Sequence, residues 1–213
     1  MDKIVYLIRH GKTDKTKLKN TNNEIMGMDL LDIDEDFIPQ IENVSKHLDL
    51  NNVKNVYSSN FLRAKRTAQI LCKNADIKID PRLGERKGGI PNLNITPQEY
   101  YKMQMDDINF KFPEGESVTE IMKRMYEAII DILNECKSDK AVVVSHGAAI
   151  TFLLKKWCDV YVIDVPKKIR RFIYKGKVIH EGVVDFVHCF KLTFDANNNI
   201  KNIESITSIG GKE

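Results

Sequence analysis

Two short β-branched runs in this chain end in the same way: residues 4–11 read Ile-Val-Tyr-Leu-Ile-Arg-His-Gly, and residues 141–147 read Ala-Val-Val-Val-Ser-His-Gly. A continuous apolar run of this length fits a strand buried on both faces, as in a largely parallel sheet covered by helices. In an open α/β sheet ligands collect at the carboxyl ends of the strands, so both motifs place an imidazole, His10 and His146, where a site would form, and the two could face one cavity. Gly11 and Gly147 read as permitting a tight exit from each strand. Either motif alone reads equally well as a turn with a satisfied polar residue; together they favour a shared site.

The rest of the chain alternates short β-branched runs with helical patterns. This predicts an α/β fold, a three-layer α/β/α sandwich with a mostly parallel central sheet, with residues 1–213 as one domain. Strands are expected at 4–8 and 53–57, with an uneven helical stretch around 37–49. From 60 to 71, Phe61, Leu62, Ala64, Ala68 and Leu71 make one apolar helical stripe, with Arg63 near the opening turn, where free backbone N–H groups suit an anion. Residues 80–116 carry Pro81, Pro91, Pro97 and Pro113 with Gly84, Gly88, Gly89 and Gly115, predicting an irregular excursion with a short helix near 97–106. Its portion at about 86–116 reads as a lid-like insertion. Ser117 and Glu120 form a capping box, and the helix that follows runs to about residue 136 with Val118, Ile121, Met125, Ile129 and Leu133 on one face. A strand at 141–145, a helix at 148–157, a strand-like run at 183–194, a turn at 195–199 and a last strand at 200–206 complete the expectation.

Composition excludes several classes. An apolar share of 42% can bury a full core, which rules out disorder for most of the chain. Thirty-three Lys plus Arg against thirty Asp plus Glu leave a net +3, far from the excess of a general nucleic-acid binder. Cys72, Cys136, Cys158 and Cys189 lie at least 22 residues apart, without zinc-site spacing or the density of a disulfide scaffold. The opening apolar run before Arg9 has five residues, too short for a signal peptide or a membrane span. A soluble cytoplasmic protein with no membrane or nucleic-acid partner is expected.

Arg9 directly precedes His10, and the planar donor forks of Arg9 and Arg63 match phosphoryl oxygens, so the two arginines would bracket a phosphate. Glu85, in a glycine-flanked loop, reads by itself as an ordinary exposed glutamate. Taken in order, Arg9-His10-Gly11 with Thr13, Leu62-Arg63-Ala64 with Thr67-Ala68, Leu83-Gly84-Glu85-Arg86, Pro113 with Gly115-Glu116-Ser117, and Ser145-His146-Gly147 resemble the histidine phosphatase superfamily, also called phosphoglycerate mutase-like.

The resemblance implies a metal-independent, cofactor-free histidine acid-type phosphatase. His10 would be the nucleophile that forms a phosphohistidine. Arg9, Arg63 and a protonated or hydrogen-bonding His146 would hold the phosphoryl oxygens, with Gly147 beside them. Glu85 would give a proton to the leaving alcohol, for which it must be protonated, and then take one from water. The family's asparagine six positions after the nucleophile is Thr16 here, so the hydroxyls of Thr13 or Thr16 are the candidate substitutes. The helix opening that the family usually has is replaced by Leu31-Asp-Ile-Asp-Glu-Asp-Phe37.

The leading expectation is therefore a phosphomonoesterase acting on a small phosphorylated metabolite. A phosphoglycerate mutase is the alternative within enzymes, disfavoured because Glu85 is followed by Arg-Lys-Gly-Gly where mutases carry Arg-His-Tyr-Gly. A catalytically silent relative that binds phospho-ligands or proteins is the alternative of another class. Lysines 12, 15, 17 and 19 and the cluster Lys167, Lys168, Arg170 and Arg171 read as solvated faces, or in the sharper reading as steering a multiply phosphorylated substrate. His47, His180 and His188 read as structural or exposed, and Tyr100, Tyr101 and Met103 as packing residues.

Overall fold

The computed structural model describes residues 1–14, 16, 29–50, 52–91, 93–136 and 138–206. The two runs that end in His-Gly are adjacent strands, β1 (Lys3–Arg9) and β4 (Lys140–Ser145), paired in parallel with Arg9 opposite Ser145. His10 and His146 therefore leave the sheet side by side, and the His10 N–H donates to the Ser145 carbonyl at 2.9 Å.

The central sheet has six strands in the order β3-β2-β4-β1-β8-β9. Strands β2 (Asn55–Ser58) and β3 (Ile77–Ile79) extend the parallel part, while β8 (Cys189–Phe194) and β9 (Ile200–Ile206) form an antiparallel edge. Side chains alternate between the faces of a strand, and both faces are covered here. Val5, Leu7, Ala141 and Val143 join the core under α4 (Val118–Glu135) and α5 (Gly147–Leu154), whereas Tyr6, Ile8, Val142 and Val144 join that under α1 (Ile38–His47) and α2 (Leu62–Leu71). The sheet with helices on both sides is the expected sandwich.

Helix α4 shows why the local sequence folds as it does. The Ser117 hydroxyl accepts from the Glu120 N–H at 3.2 Å and the Glu120 carboxylate accepts from the Ser117 N–H at 2.9 Å, closing the expected capping box. Val118, Ile121, Met125, Ile129 and Ile132 then recur at helical spacing and are buried. Truncating Met125 or Ile129 to alanine is expected to cost about 2–5 kcal/mol.

The excursion between β3 and α4 contains α3 (Pro97–Asp106), opened by a Thr96–Glu99 capping box. Its two arms are strapped together by Ile90 N–H to Pro113 O at 2.9 Å and Glu116 N–H to Lys87 O at 3.0 Å. The approach is close enough that a Cβ on Gly89, which has φ +76°, would lie 2.6 Å from the Gly115 nitrogen.

Residues 159–182 depart from the expectation. They form a second, antiparallel sheet of β5 (Asp159–Asp164), β6 (Ile169–Tyr174) and β7 (Lys177–Gly182). The β6–β7 turn has positive φ at both Lys175 and Gly176, the backbone of a type I′ hairpin. The strand-like run expected from residue 183 begins only at Cys189. The intervening residues instead reach the site, where Val187 N–H donates to Arg9 O at 3.1 Å. Among the described residues, no helix is long and apolar enough to cross a membrane.

Candidate active site

His10 is buried at the end of β1 and is held at both ring nitrogens. Its Nδ1 lies 2.7 Å from the Gly11 carbonyl, which can only accept, so Nδ1 carries the proton and Nε2 the lone pair. That lone pair accepts the Nε–H of Arg63 at 3.1 Å. Burial, followed by the charges of Arg63 and Arg9, pushes the imidazole pKa down to about 3, so the ring is neutral at ordinary pH. The Gly11 N–H donates to the Thr67 hydroxyl at 2.9 Å, and that hydroxyl donates to the Arg63 carbonyl at 2.6 Å. One helix thus fixes both His10 and the arginine facing it.

His146 follows β4 and packs its ring 5.0 Å from that of His10. Its Nδ1 accepts from Arg63 Nη2 at 3.1 Å, which leaves Nε2 as the N–H that donates to the Ser59 hydroxyl at 2.8 Å. Burial comes first, then the neighbouring His10 and Arg63, in holding its pKa well below that of a free histidine. Of the two states expected for His146, protonated or hydrogen-bonding, the structure supports the neutral, hydrogen-bonded one, because desolvation beside two arginines penalises a further positive charge. The Phe61 ring packs on Arg63 at 4.6 Å and edge-on to His146 at 4.7 Å.

Arg9 enters the same space from β1. One end of its guanidinium donates to the Val184 carbonyl at 2.6 Å, and the Phe186 ring lies 4.2 Å away. Its buried Nε has no hydrogen-bond partner among the described residues. Burial lowers the pKa of both Arg9 and Arg63, with Glu85 opposing in each case. Gly147 leaves space here: a Cβ on it would sit 3.3 Å from Arg9 Nε, a tight contact that the arginine would have to shift to relieve. Gly11 likewise makes room for Ile41, whose Cδ1 would be 2.8 Å from an added Cβ. Neither glycine has a positive φ, so what each supplies at its strand exit is room for a neighbouring side chain.

Glu85 is half-buried, and its Oε1 accepts from the N–H groups of Arg86 at 2.9 Å and Ala149 at 3.2 Å. Arg124 holds the backbone that carries it. Its guanidinium donates to the carbonyls of Arg82 at 2.5 Å, Gly84 at 3.0 Å and Glu85 at 3.3 Å, and pairs with Glu116 at 2.7 Å. Arg9, Glu85 and Gly147 line one side of a cavity of about 580 Å³.

The structure thus gathers Arg9, His10, Arg63 and His146 into one cluster and brings Glu85 and Gly147 to the adjoining cavity. Thr13 instead forms an antiparallel bridge with Ile33, and Thr16 is exposed with its N–H and hydroxyl both donated to Asp14. Neither lines that cavity or bonds to the cluster among the described residues. Thr67, Ser59, Phe186 and Arg124 went unassigned in the sequence, although Thr67 stands four residues after Arg63, the spacing at which a helical threonine bonds back.

His47 is exposed, while His180 and His188 are buried edge to face at 4.5 Å. Tyr101 both packs on Phe152 and lines the cavity. Of the first lysine group, Lys12 pairs with Asp34 at 2.9 Å, and Lys15, Lys17 and Lys19 lie outside the described residues. The second basic group is split rather than uniformly solvated: Arg171 pairs outward with Glu181 at 2.6 Å, whereas Arg170 is half-buried in the cavity wall. Among the described residues, no group of three or more His, Cys, Asp and Glu side chains is arranged to hold a metal ion.

A family model described as the histidine phosphatase superfamily (branch 1) matches residues 5–168. A protein of Yersinia pestis (strain Pestoides F) described as a probable phosphoglycerate mutase, GpmB, is 33% identical over 159 residues, which cover 70% of this chain and 72% of the relative. Among solved structures, a phosphoserine phosphatase mutant from Entamoeba histolytica in complex with phosphoserine superposes with a TM-score of 0.62 at 17% identity, covering 95% of this chain and 96% of that one. A phosphoglycerate mutase from Bacillus anthracis str. Sterne gives a TM-score of 0.63 at 18% identity, covering 96% and 92%. At these identities the two structures speak for the fold alone.

Proposed function

Because the chain belongs to the histidine phosphatase superfamily, we propose that it is a phosphomonoesterase, hydrolysing a small phosphorylated metabolite through a phosphohistidine at His10. The observation that carries this reading is the tautomer of His10. A neutral ring with its proton fixed on Nδ1 presents an Nε2 lone pair next to two guanidinium groups, the environment an attacking nitrogen needs.

The Nε2 lone pair forms the N–P bond as the ester P–O bond breaks, and Glu85 delivers a proton to the departing oxygen. Nδ1–H remains donated to the Gly11 carbonyl, which faces the positive charge that develops on the phosphorylated ring. Water then attacks phosphorus and gives a proton to Glu85, the N–P electron pair returns to Nε2, and phosphate departs. Arg9 and Arg63 stabilise the equatorial oxygens, at an advantage because both are held away from bulk water. His146 contributes without becoming charged. With its Nε2–H donated to the Ser59 hydroxyl, its Nδ1 lone pair accepts from Arg63 Nη2 and orients that guanidinium towards the phosphoryl oxygens. Near-balanced charge and scattered thiols support a cytoplasmic setting and a small-molecule partner over nucleic acid or membrane.

The test is hydrolysis of a chromogenic aryl phosphate by the native protein and by His10→Ala, with and without chelator. Chelator-resistant turnover that disappears in the variant is expected, and turnover that persists in His10→Ala overturns the assignment. The name of the Yersinia relative favours a second reading, a mutase. Following whether the phosphoryl group of a phosphoglycerate goes to water or to a second hydroxyl separates the two.

A further inference from the structure

The cavity beside His10 extends beyond the phosphoryl cluster to a wall built by the second sheet, and there its charge is unbalanced. Arg86, Lys168 and Arg170 line it together with Arg9, and Glu85 is the one carboxylate among its described lining residues. Arg170 lies on β6, outside the residues matched to the family.

Among the described residues, neither Arg86, Lys168 nor Arg170 has an ion pair, whereas nearby arginines do: Arg82 with Asp80 and Asp131, Arg124 with Glu116, and Arg171 with Glu181. Neighbouring strand residues point to opposite faces, so Arg171 meets its acid outside while Arg170 turns into the cavity without one.

Aromatic rings and neutral acceptors hold these guanidinium groups in place instead. Arg170 packs over Tyr101 at 4.5 Å and donates Nε–H to its hydroxyl at 2.7 Å, and Nη1 donates to the Lys168 carbonyl at 3.1 Å. Arg86 packs over Tyr100 at 4.7 Å and bonds to the Gln104 side-chain oxygen. Withdrawing a cation from water without an opposite charge is costly, and a stacked guanidinium keeps donors that suit a planar or tetrahedral oxyanion. Asp185 and Asp29 help to offset Arg9 and Arg63, and Glu85 acts on both of them and on Arg86; along the cavity wall itself four cations, Arg9, Arg86, Lys168 and Arg170, face that one carboxylate among the described residues. Val162, Val165, Val183 and Val184 add apolar lining to the same cavity, Val184 beside Arg9 and Val162 paired across the sheet with Arg170.

We infer that Arg170 and Arg86 form a second anion subsite, so that the substrate is a small phosphomonoester with another anionic group at the far end of a short aliphatic body. This rests on the phosphomonoesterase reading for turnover but not for binding. Arg170 is thereby a specificity-determining residue contributed by the second sheet.

The test compares kcat/KM for alkyl monophosphates of one chain length that end in a methyl, a carboxylate or a second phosphate, in the native protein, Arg170→Gln and Arg170→Lys. Losing a hydrogen-bonded charge pair is expected to reduce the preference for an anionic over a methyl end by about 10- to 100-fold in Arg170→Gln. Arg170→Lys should fall between, and the carboxylate and phosphate arms identify which anion fits better. No preference in the native protein, or an equal loss on all three substrates, overturns the subsite. Binding of phosphonopropionate against propylphosphonate, measured by titration calorimetry, separates the two inferences. A charge preference that Arg170→Gln removes, seen without turnover of any ester, supports the subsite while defeating the phosphatase reading. Absence of that preference defeats the subsite whatever the turnover.

Discussion

The Nε–H of Arg63 points at Nε2 of His10 across 3.1 Å, so the cation that would stabilise a phosphoryl group also reserves the lone pair that would attack it. On the proposed mechanism a bound phosphoryl group would compete with the two imidazoles for the donors of Arg63, and Nε2 would be released as the guanidinium turned to the oxygens.

Arg63→Lys keeps a charge but cannot face both rings with a fork of donors, and kcat/KM on an aryl phosphate is expected to fall about 10²- to 10³-fold. Arg63→Gln also removes a charge that depresses the His10 pKa, so an NMR titration should find that value higher than in the native protein. An unchanged His10 titration would leave burial and the Arg9 charge in control of it.

Glu85 and Arg124 are separable by leaving group. Protonating the departing oxygen matters for an alcohol and little for a nitrophenolate, so Glu85→Gln should lose about 10²- to 10⁴-fold on an alkyl phosphate and far less on para-nitrophenyl phosphate. Arg124 acts through the carbonyls of Arg82, Gly84 and Glu85. Arg124→Gln should therefore show the same leaving-group pattern in weaker form, about 10-fold on the alkyl ester. Equal losses on both esters would make Arg124 a purely structural residue.

Acid should destabilise the chain through its neutral, buried histidines. His188 bonds to the Ser205 hydroxyl at 2.9 Å, and burial, the adjacent His180 and then Arg9 push its pKa to about 3. Unfolded, it would titrate near its ordinary 6.5. Between those values the unfolded chain binds a proton that the folded chain does not, so the stability is present above 6.5 and is lost as pH falls towards 3. Each such imidazole contributes a slope of up to about 1.4 kcal/mol per pH unit. Melting temperatures from pH 7 to 4 should drop, and less steeply in His188→Gln, whose amide can replace the bond to Ser205. A parallel slope in the variant would assign the acid sensitivity to other groups.

Thiol reactivity should single out one cysteine. Cys72, Cys158 and Cys189 are buried and their thiol pKa values are raised by burial, those of Cys72 and Cys158 to about 12. Cys136 is half-buried at the end of α4. Iodoacetamide is expected to label Cys136 first in the folded protein and the other three only on unfolding, as peptide mass mapping would read out. Early labelling of Cys189 would contradict its burial in β8.

The central sheet and most of the site were legible because their signals are local. A five-residue apolar run before His10, its counterpart before His146, and a helical stripe opening near Arg63 each predict position and direction together. The second sheet was not legible. In β5, Val160, Tyr161, Val162 and Ile163 are all apolar, and register shifts in β5–β6 and β6–β7 break the period of two. The turn at Lys175-Gly176 also lacks the Asn-Gly or Asp-Gly signal of a tight hairpin. Arg170 therefore looked like part of a solvated run, since only the alternation of faces along β6 separates it from Arg171. Ser59 and Thr67 carried no chemistry in the sequence because their roles arise from what the fold brings to their hydroxyls.

The space that Gly147 leaves for Arg9 makes the two His-Gly motifs complementary halves of one object. The glycine after one histidine accommodates the side chain before the other, although 138 positions separate residues 9 and 147 in the chain. A methyl group at position 147 would press on the Arg9 guanidinium, which would have to shift by a few tenths of an ångström within the site to make room. A side chain at position 147 therefore acts on the aim of the arginine before His10, so the two motifs share one piece of space as well as one sheet edge.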